Sequence, residues 1–371
     1  MSEWRDCMLG DIATLHYGKA LRTDYRAVGN VPVYSSAGIT GMHDAHLVNN
    51  KGLIIGRKGT VGKVYLSSQP FWCIDTAYYI LPDDSNYDFK FLYFLLQTLG
   101  LEELNEDSAV PGLNRDTAYQ QRLLLPLLPE QKAIAAVLSS LDDKIDLLHR
   151  QNKTLEGMTV TLFRRWFVEE AQEDWEEVTL SDVTARITDG AHASPPTVEA
   201  GLPMASVKDM YQWGINTESC RQISQDDFDE LVRTDCRPLK NDILIAKDGS
   251  YLKHVFVAEE DMDVVILSSI AILRPNGKYH PLLLATFLKL ESTKEGLANI
   301  VTGAVIPRIV LKDFRKYKLL LPPQSLQDQA IAIIQPIYEK CWENDRQIRT
   351  LEKLRDTLLP KLMSGEIRIN Y

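Results

Sequence analysis

The chain has 371 residues, 45% hydrophobic and 25% charged, with five cysteines and a formal net charge of −10. That length suits two or three domains rather than one core, and no apolar run reaches the ~20 residues that a membrane span needs. The acidic total argues against a protein that coats nucleic acid by charge alone, and scattered cysteines with no C-x-x-C pair argue against a disulfide framework or structural zinc. Met1-Ser2-Glu3-Trp4-Arg5-Asp6 carries no signal-peptide pattern, so the expected compartment is the reducing cytoplasm.

In chain order, short apolar or β-branched runs at residues 53–55, 64–66 and 77–81, broken by Gly, Asn and Asp turns, predict strands. A short helix is predicted over residues 89–99. Beyond Pro129, which suits a first helical turn, apolar residues recur at Ile134, Leu138, Leu141, Ile145, Leu148, Leu155, Leu162 and Trp166. They follow alternating steps of four and three, interrupted by Asn152 and Thr159. One helix over residues 130–167 would be ~57 Å long at ~1.5 Å per residue. The acidic stretch 169–177 reads as a linker into a second strand-rich region. Ile334, Ile337, Cys341, Ile348, Leu351, Leu358 and Leu362 then repeat the helical rhythm, with Asn344 and Arg355 as interruptions. Ser325 with Asp328 is expected to cap that helix. A narrow heptad stripe written twice predicts a coiled-coil pair; the plainer alternative is two amphipathic helices, each packed on its own domain.

The chain repeats itself. Glu3-Trp4 and Leu9-Gly10-Asp11-Ile12 match Asp174-Trp175 and Leu180-Ser181-Asp182-Val183, shifted by 171 positions, as are Pro32 and Ser35 to Pro203 and Ser206. Residues 53–60 resemble residues 243–250 at a shift of 190, and Arg122-Leu123-Leu124-Leu125-Pro126 resembles Lys318-Leu319-Leu320-Leu321-Pro322 at 196. Residues 150–156 and 346–352 are identical at five of seven positions. The growing shift means insertions within the second copy. Charge is also uneven: Lys51, Arg57, Lys58 and Lys63 lie between Asp44 and Asp75 with no acid among them. Arg308, Lys312, Arg315, Lys316 and Lys318 lie near Asp313 alone. Local basic patches on an acidic body remain compatible with DNA.

No catalytic motif emerges. Spacing of Cys, His and carboxylates offers no metal site, and there is no G-x-S-x-G elbow. Gly56-Arg57-Lys58-Gly59-Thr60-Val61-Gly62-Lys63 departs from a phosphate-binding loop: its first glycine is one residue too far from Gly62, and Val64 stands where Ser or Thr would hold magnesium. Pro82-Asp83 with Asp88-Phe89-Lys90 is too tightly spaced for a nuclease signature. The double prolines, Pro195-Pro196 and Pro322-Pro323, do not fit a DNA methyltransferase motif.

Two diverged copies, each followed by a better-kept long helix, resemble the specificity subunits of type I restriction–modification systems. Residues 32–41, 54–62 and 71–76 are similar to the family's target recognition domain. So are Thr188-Asp189-Gly190-Ala191-His192, residues 242–249 and residues 303–308 in the second copy. Pro129-Glu130-Gln131, leading into Ile134-Ala135, resembles the start of the family's helices. The resemblance implies an α+β fold: target recognition domains at residues 1–128 and 171–321, separated by a pair of long antiparallel coiled-coil helices (129–170 and 322–371), in a pseudo-two-fold internal repeat. It implies a non-catalytic chain that recognises double-stranded DNA, each domain reading one half of a bipartite target while the helices set the spacer and dock methyltransferase subunits. It also implies two modification subunits that bind S-adenosylmethionine and two ATP- and Mg-dependent restriction subunits, with no cofactor in this chain and no membrane.

Groove readers are expected to be long donors on loops or strand ends, because Arg and Lys suit guanine edges and Asn and Gln suit adenine. In the first copy these are Arg57, Lys58, Thr60, Lys63, Asn114 and Arg115; in the second, His192, Lys247, Ser250, Tyr251, Lys253 and Arg308. Gly59 and Gly249 are read as turn formers. The docking helices are marked by Ile134, Leu138, Leu141, Ile145, Leu148, Ile348, Leu351 and Leu358. A stand-alone sequence-specific DNA-binding regulator, and an adaptor that binds no DNA, are the alternatives.

Overall fold

A computed structural model describes residues 4–104, 112–249, 252–298, 301–302 and 308–369. The chain divides into two compact units, one of Met1–Asp146 with Arg349–Tyr371 and one of Leu147–Ile348. The division falls inside both long helices, so each unit holds a strand-rich region and a share of each helix.

In the first unit, Arg5–Met8 pairs antiparallel with Arg122–Leu125, Arg5 opposite Leu125. Between these strands lies a four-stranded antiparallel sheet in the order His16–Tyr17, Ala77–Ile80, Gly52–Gly56, Val64–Ser67. Its central strand is buried at every position, which is why the sequence there runs Gly-Leu-Ile-Ile-Gly without polar alternation: both faces are covered. A smaller sheet orders Gly38–His43, Val31–Ser35 and Trp72–Cys73, the first pair antiparallel and the second parallel. The helix Phe89–Leu96 starts where the Asp88 carboxylate accepts from Phe91 N–H at 2.9 Å.

The second unit repeats this plan. Glu176–Thr179 pairs antiparallel with Lys318–Leu321. The four-stranded order is Thr184–Asp189, Ile270–Pro275, Ile243–Ala246, Val255–Val257, and the three-stranded order is Arg221–Ile223, Leu202–Ala205, Val265–Ile266. The hairpin Met210–Tyr211 with Gly214–Ile215, and the helix Gln225–Arg233, have no counterpart among the described residues of the first unit. They account for the sequence shift rising from 171 to 190.

The first long helix runs Leu128–Arg164 and ends in a π turn, Arg165–Glu169; the second runs Gln324–Ser364. The expected cap at Ser325 is not used. Pro323 O accepts from both Leu326 and Gln327 N–H, so the helix begins before Ser325, and Asp328 takes the Gln324 amide at 2.8 Å instead. Within the first unit Arg355 meets Asp142 at 3.0 Å, and Ile134 and Leu138 share a core with Leu362 and Met363. Within the second, Asn344 donates to Asn152 at 2.9 Å, Asn152 to Cys341 O at 3.1 Å, and Phe163 shares a core with Ile334 and Tyr338. Numbers rise on one helix as they fall on the other, so the pairing is antiparallel in each unit. Two of the polar interruptions, Asn152 and Asn344, thus meet one another, while Thr159 donates to Glu156 O on its own helix.

One glutamine per unit fixes how a long helix leaves its strand-rich region. Gln131 accepts from Asp88 N–H at 2.8 Å and donates to Pro126 O at 2.9 Å. Gln327, 196 positions on, accepts from His280 N–H at 3.0 Å and donates to Pro322 O at 3.1 Å.

Candidate nucleic-acid interface

The candidate residues cluster on one loop in each unit, and the two loops are built alike. In the first, the chain leaves Gly52–Gly56 and returns as Val64–Ser67; Gly62 N–H donates to Gly56 O at 2.9 Å, and Gly56 N–H to Lys63 O at 2.8 Å. Thr76 O accepts from both Arg57 and Lys58 N–H, and Leu113 N–H donates to Arg57 O at 2.8 Å, laying residues 112–115 alongside. In the second unit Leu252 N–H donates to Ala246 O at 2.9 Å, Ser269 O accepts from Lys247 and Asp248 N–H, and Ile309 N–H donates to Lys247 O at 3.1 Å. Lys58 bridges to Gly112 as Asp248 does to Arg308. Glycine is required at the turns: φ is +83° at Gly59 and +74° at Gly249. A Cβ on Gly56 would lie 1.9 Å from Thr60 O.

In the first unit the loop borders an open cleft of ≈ 320 Å³, lined by Tyr17, Arg57, Lys58, Tyr78, Asn114 and Arg115 among others. The guanidinium carbons of Arg57 and Arg115 each lie 5.0 Å from the Tyr17 ring centroid, within cation–π reach. Tyr78 packs edge-on against Tyr17 at 5.1 Å and donates its hydroxyl to Leu113 O at 3.1 Å. Burial, then the adjacent Tyr17 hydroxyl, pushes the Tyr78 phenol up, so it remains a donor at neutral pH. Lys58 and Thr60 are exposed. Lys63 pairs with Glu102 at 3.3 Å. Asn114 has a structural job the sequence reading did not assign it: its side-chain oxygen caps the helix Arg115–Tyr119, accepting from Asp116 N–H at 2.8 Å.

The second loop is chemically different. Lys247 corrects the expectation of a groove reader: it is 4% exposed, with its ammonium 2.5 Å from the Asp189 carboxylate. A buried ammonium needs such a partner, so it braces the loop. His192 lies 3.3 Å from the same carboxylate and is exposed. Arg308 is exposed and meets Asp248 at 3.0 Å. Lys253 is exposed. Ser250 and Tyr251 lie outside the described residues. Tyr17, which sequence reasoning missed, and Asp189, which it noted only within the motif Thr188–His192, occupy equivalent places: Tyr17 lies opposite Tyr78 and Asp189 opposite Ala271, each followed by a glycine wedged against backbone, Gly18 or Gly190. That glycine, 172 positions apart, was the available signal.

The residues expected to mark docking helices hold the fold together. Ile134, Leu138, Ile145, Leu148 and Ile348 are buried, and Leu141, Leu351 and Leu358 half-buried. Val137, Leu147, Met158, Ile333 and Leu354 of the same helices are exposed. Among the described residues no cluster of His, Cys, Asp or Glu could hold a metal, and no helix is long and apolar enough to cross a membrane.

Residues 1–157 and 172–353 match the family described as type I restriction modification DNA specificity domain. The chain belongs to that family. This specificity chain is 27% identical to the type I restriction enzyme MjaIX specificity subunit of Methanocaldococcus jannaschii, over 85% of its own length and 78% of the relative's. It is 20% identical to the HindI specificity subunit of Haemophilus influenzae, covering 99% and 100%. The crystal structure of a type I restriction–modification S subunit from M. genitalium shares its fold, with a TM-score of 0.61 at 20% identity over 97% of this chain and 96% of that one. The specificity chain is a non-catalytic DNA-recognition component of a type I restriction–modification complex.

Proposed function

We propose that each unit reads one half of a bipartite DNA target through its loop, residues 57–63 with 112–115 in the first and 247–253 with 308 in the second. The paired helices set the spacer and dock methyltransferase subunits. The observation that carries this reading is one backbone scaffold, closed by matching hydrogen bonds, that presents different side chains in its two copies. Such an arrangement varies base-edge chemistry while keeping geometry constant.

The partners in this reading are two modification subunits, which bind S-adenosylmethionine and methylate adenine, and two restriction subunits driven by ATP and Mg, all in the cytoplasm. This chain takes no cofactor itself. A repeated apolar groove supports two copies of one partner: Leu95, Leu99 and Leu124 line it in the first unit, and Leu290, Leu320 and Val168 in the second. The net charge of −10 fits if partners supply much of the phosphate contact and this chain supplies base readout.

The test is base-resolved adenine methylation across the source genome with and without this gene. Loss of a split motif on deletion is the expected result and reveals the target. No change, with partner genes intact and expressed, would overturn the reading.

A further inference from the structure

We infer that the residue preceding the wedged glycine on the sheet edge, Tyr17 in the first unit and Asp189 in the second, decides which loop cations are available to DNA. This rests on the half-site reading above. The two positions are equivalent by strand register and by the glycine that follows. Both gather cations by opposite means. Asp189 does so by charge: it takes the Lys247 ammonium at 2.5 Å, and the exposed His192 ring lies 3.3 Å from the same carboxylate. Asp248 does the same for Arg308 at 3.0 Å. Much of the positive charge of the second loop is therefore met within the protein.

Tyr17 gathers cations without neutralising them. Its ring is half-exposed and lies 5.0 Å from the guanidinium carbons of both Arg57 and Arg115. Tyr78 and Tyr119 extend the platform, at 5.7 Å from Arg57 and 5.9 Å from Arg115. Neither arginine is ion-paired among the described residues; Arg57 donates to Asp75 O at 3.1 Å. Two guanidinium groups around one ring repel each other, and the ring quadrupole attracts both. Planar forks held in this way match the two acceptors of a guanine edge or two phosphate oxygens, and cost less ordering on binding than mobile arginines would. Tyr17 is thus a positioning residue for a cationic half-site reader, whereas Asp189 and Asp248 hold Lys247 and Arg308 of its counterpart in ion pairs and Lys253 stays exposed.

The experiment uses the complete complex of this chain with its methyltransferase partner on unmethylated genomic DNA, with initial methylation mapped base by base. Tyr17→Leu should slow methylation about 5- to 30-fold, the loss of two exposed cation–π contacts. Any new base tolerance should be confined to one half of the motif. Tyr17→Phe, which keeps the ring, should retain the wild-type rate and motif. Tyr17→Asp should fall below Tyr17→Leu, because the carboxylate would capture the guanidinium groups as Asp189 captures Lys247. If loss is uniform over all sites without base tolerance, the positioned forks hold phosphates; if one half becomes degenerate, they read bases. Sensitivity to Arg57→Ala or Arg115→Ala with none to Tyr17→Leu would overturn the inference and leave the half-site reading standing. Indifference to all of these variants would overturn both. Equal loss over both halves with Tyr17→Leu and Tyr17→Phe alike would mark a purely structural residue and overturn the inference.

Discussion

Glu156→Ala should be among the most destabilising single substitutions in the second unit. Glu156, on the first long helix, meets the Lys289 ammonium at 2.6 Å and accepts the Gln212 amide on both carboxylate oxygens at 2.8 Å. The Lys289 side chain is 8% exposed and lies 4.8 Å from the Trp213 ring centroid and 5.5 Å from that of Tyr338. Burial pulls this ammonium towards neutrality, but Tyr338 and Glu156 outweigh burial and hold it charged, its pKa above the ordinary 10.5. Removing the carboxylate strands a buried charge, at a cost of about 3–5 kcal/mol. The orphaned Gln212 amide adds about 1 kcal/mol. Against a typical domain stability of about 5–15 kcal/mol that is a large fraction. Urea unfolding followed by tryptophan fluorescence should show a lower midpoint at unchanged slope. The double variant Glu156→Leu/Lys289→Met removes both charges and should recover at least half of the loss. Because the lysine is raised in the folded state, its contribution is complete below about pH 10.4 and is lost only as pH rises through the folded value. The deficit should therefore be equal at pH 7 and pH 9. A loss under about 1 kcal/mol, or a double variant worse than the single one, would refute the reasoning.

Lys58→Ala and Arg308→Ala should each weaken one half-site only, by about 1–3 kcal/mol at particular base pairs if the contact is direct readout; unimpaired recognition in both would remove these residues from the interface. Burial pushes the thiols of Cys73, Cys220 and Cys341 up to about 12, so alkylation at pH 8 should modify half-exposed Cys7 first and those three only in denaturant, as peptide mass mapping would show. Burial lowers the His280 imidazole below 6.5, partly opposed by Asp328, and the neutral ring accepts from Leu282 N–H at 3.3 Å as a helix cap. Its contribution is complete above about pH 6.5 and is lost as pH falls through the lower folded value, because the unfolded chain takes the proton first. His280→Asn should flatten part of the stability decline between about pH 6.5 and 5, measured by urea midpoints.

The repeat and the long helices were legible because their signals are local. Leu53-Ile54-Ile55 is a continuous apolar run because its strand is covered on both faces, and Asn152 and Asn344 interrupt their stripes because they bond to each other across the helix pair. The interface was only partly legible. Of the long donors chosen on loops, Lys58 and Arg308 are exposed and Arg57 lines the cleft, but residue type alone cannot say whether an ammonium is buried against an acid, as Lys247 is, or whether an amide caps a helix, as Asn114 does. The roles of Tyr17 and Asp189 escaped because their meaning is relational. Tyr17 meets Arg57 and Arg115, and Asp189 meets Lys247, across long stretches of sequence, which a pass along the chain does not juxtapose.

In each unit the strand that opens the recognition region is hydrogen-bonded to the strand that closes it, Arg5–Met8 to Arg122–Leu125 and Glu176–Thr179 to Lys318–Leu321. Everything between enters and leaves through one hairpin-like gate, sealed by Gln131 or Gln327. A segment bounded in this way begins and ends at one place, so the second can be longer than the first by a hairpin and a helix while the same four-residue pairing still closes it.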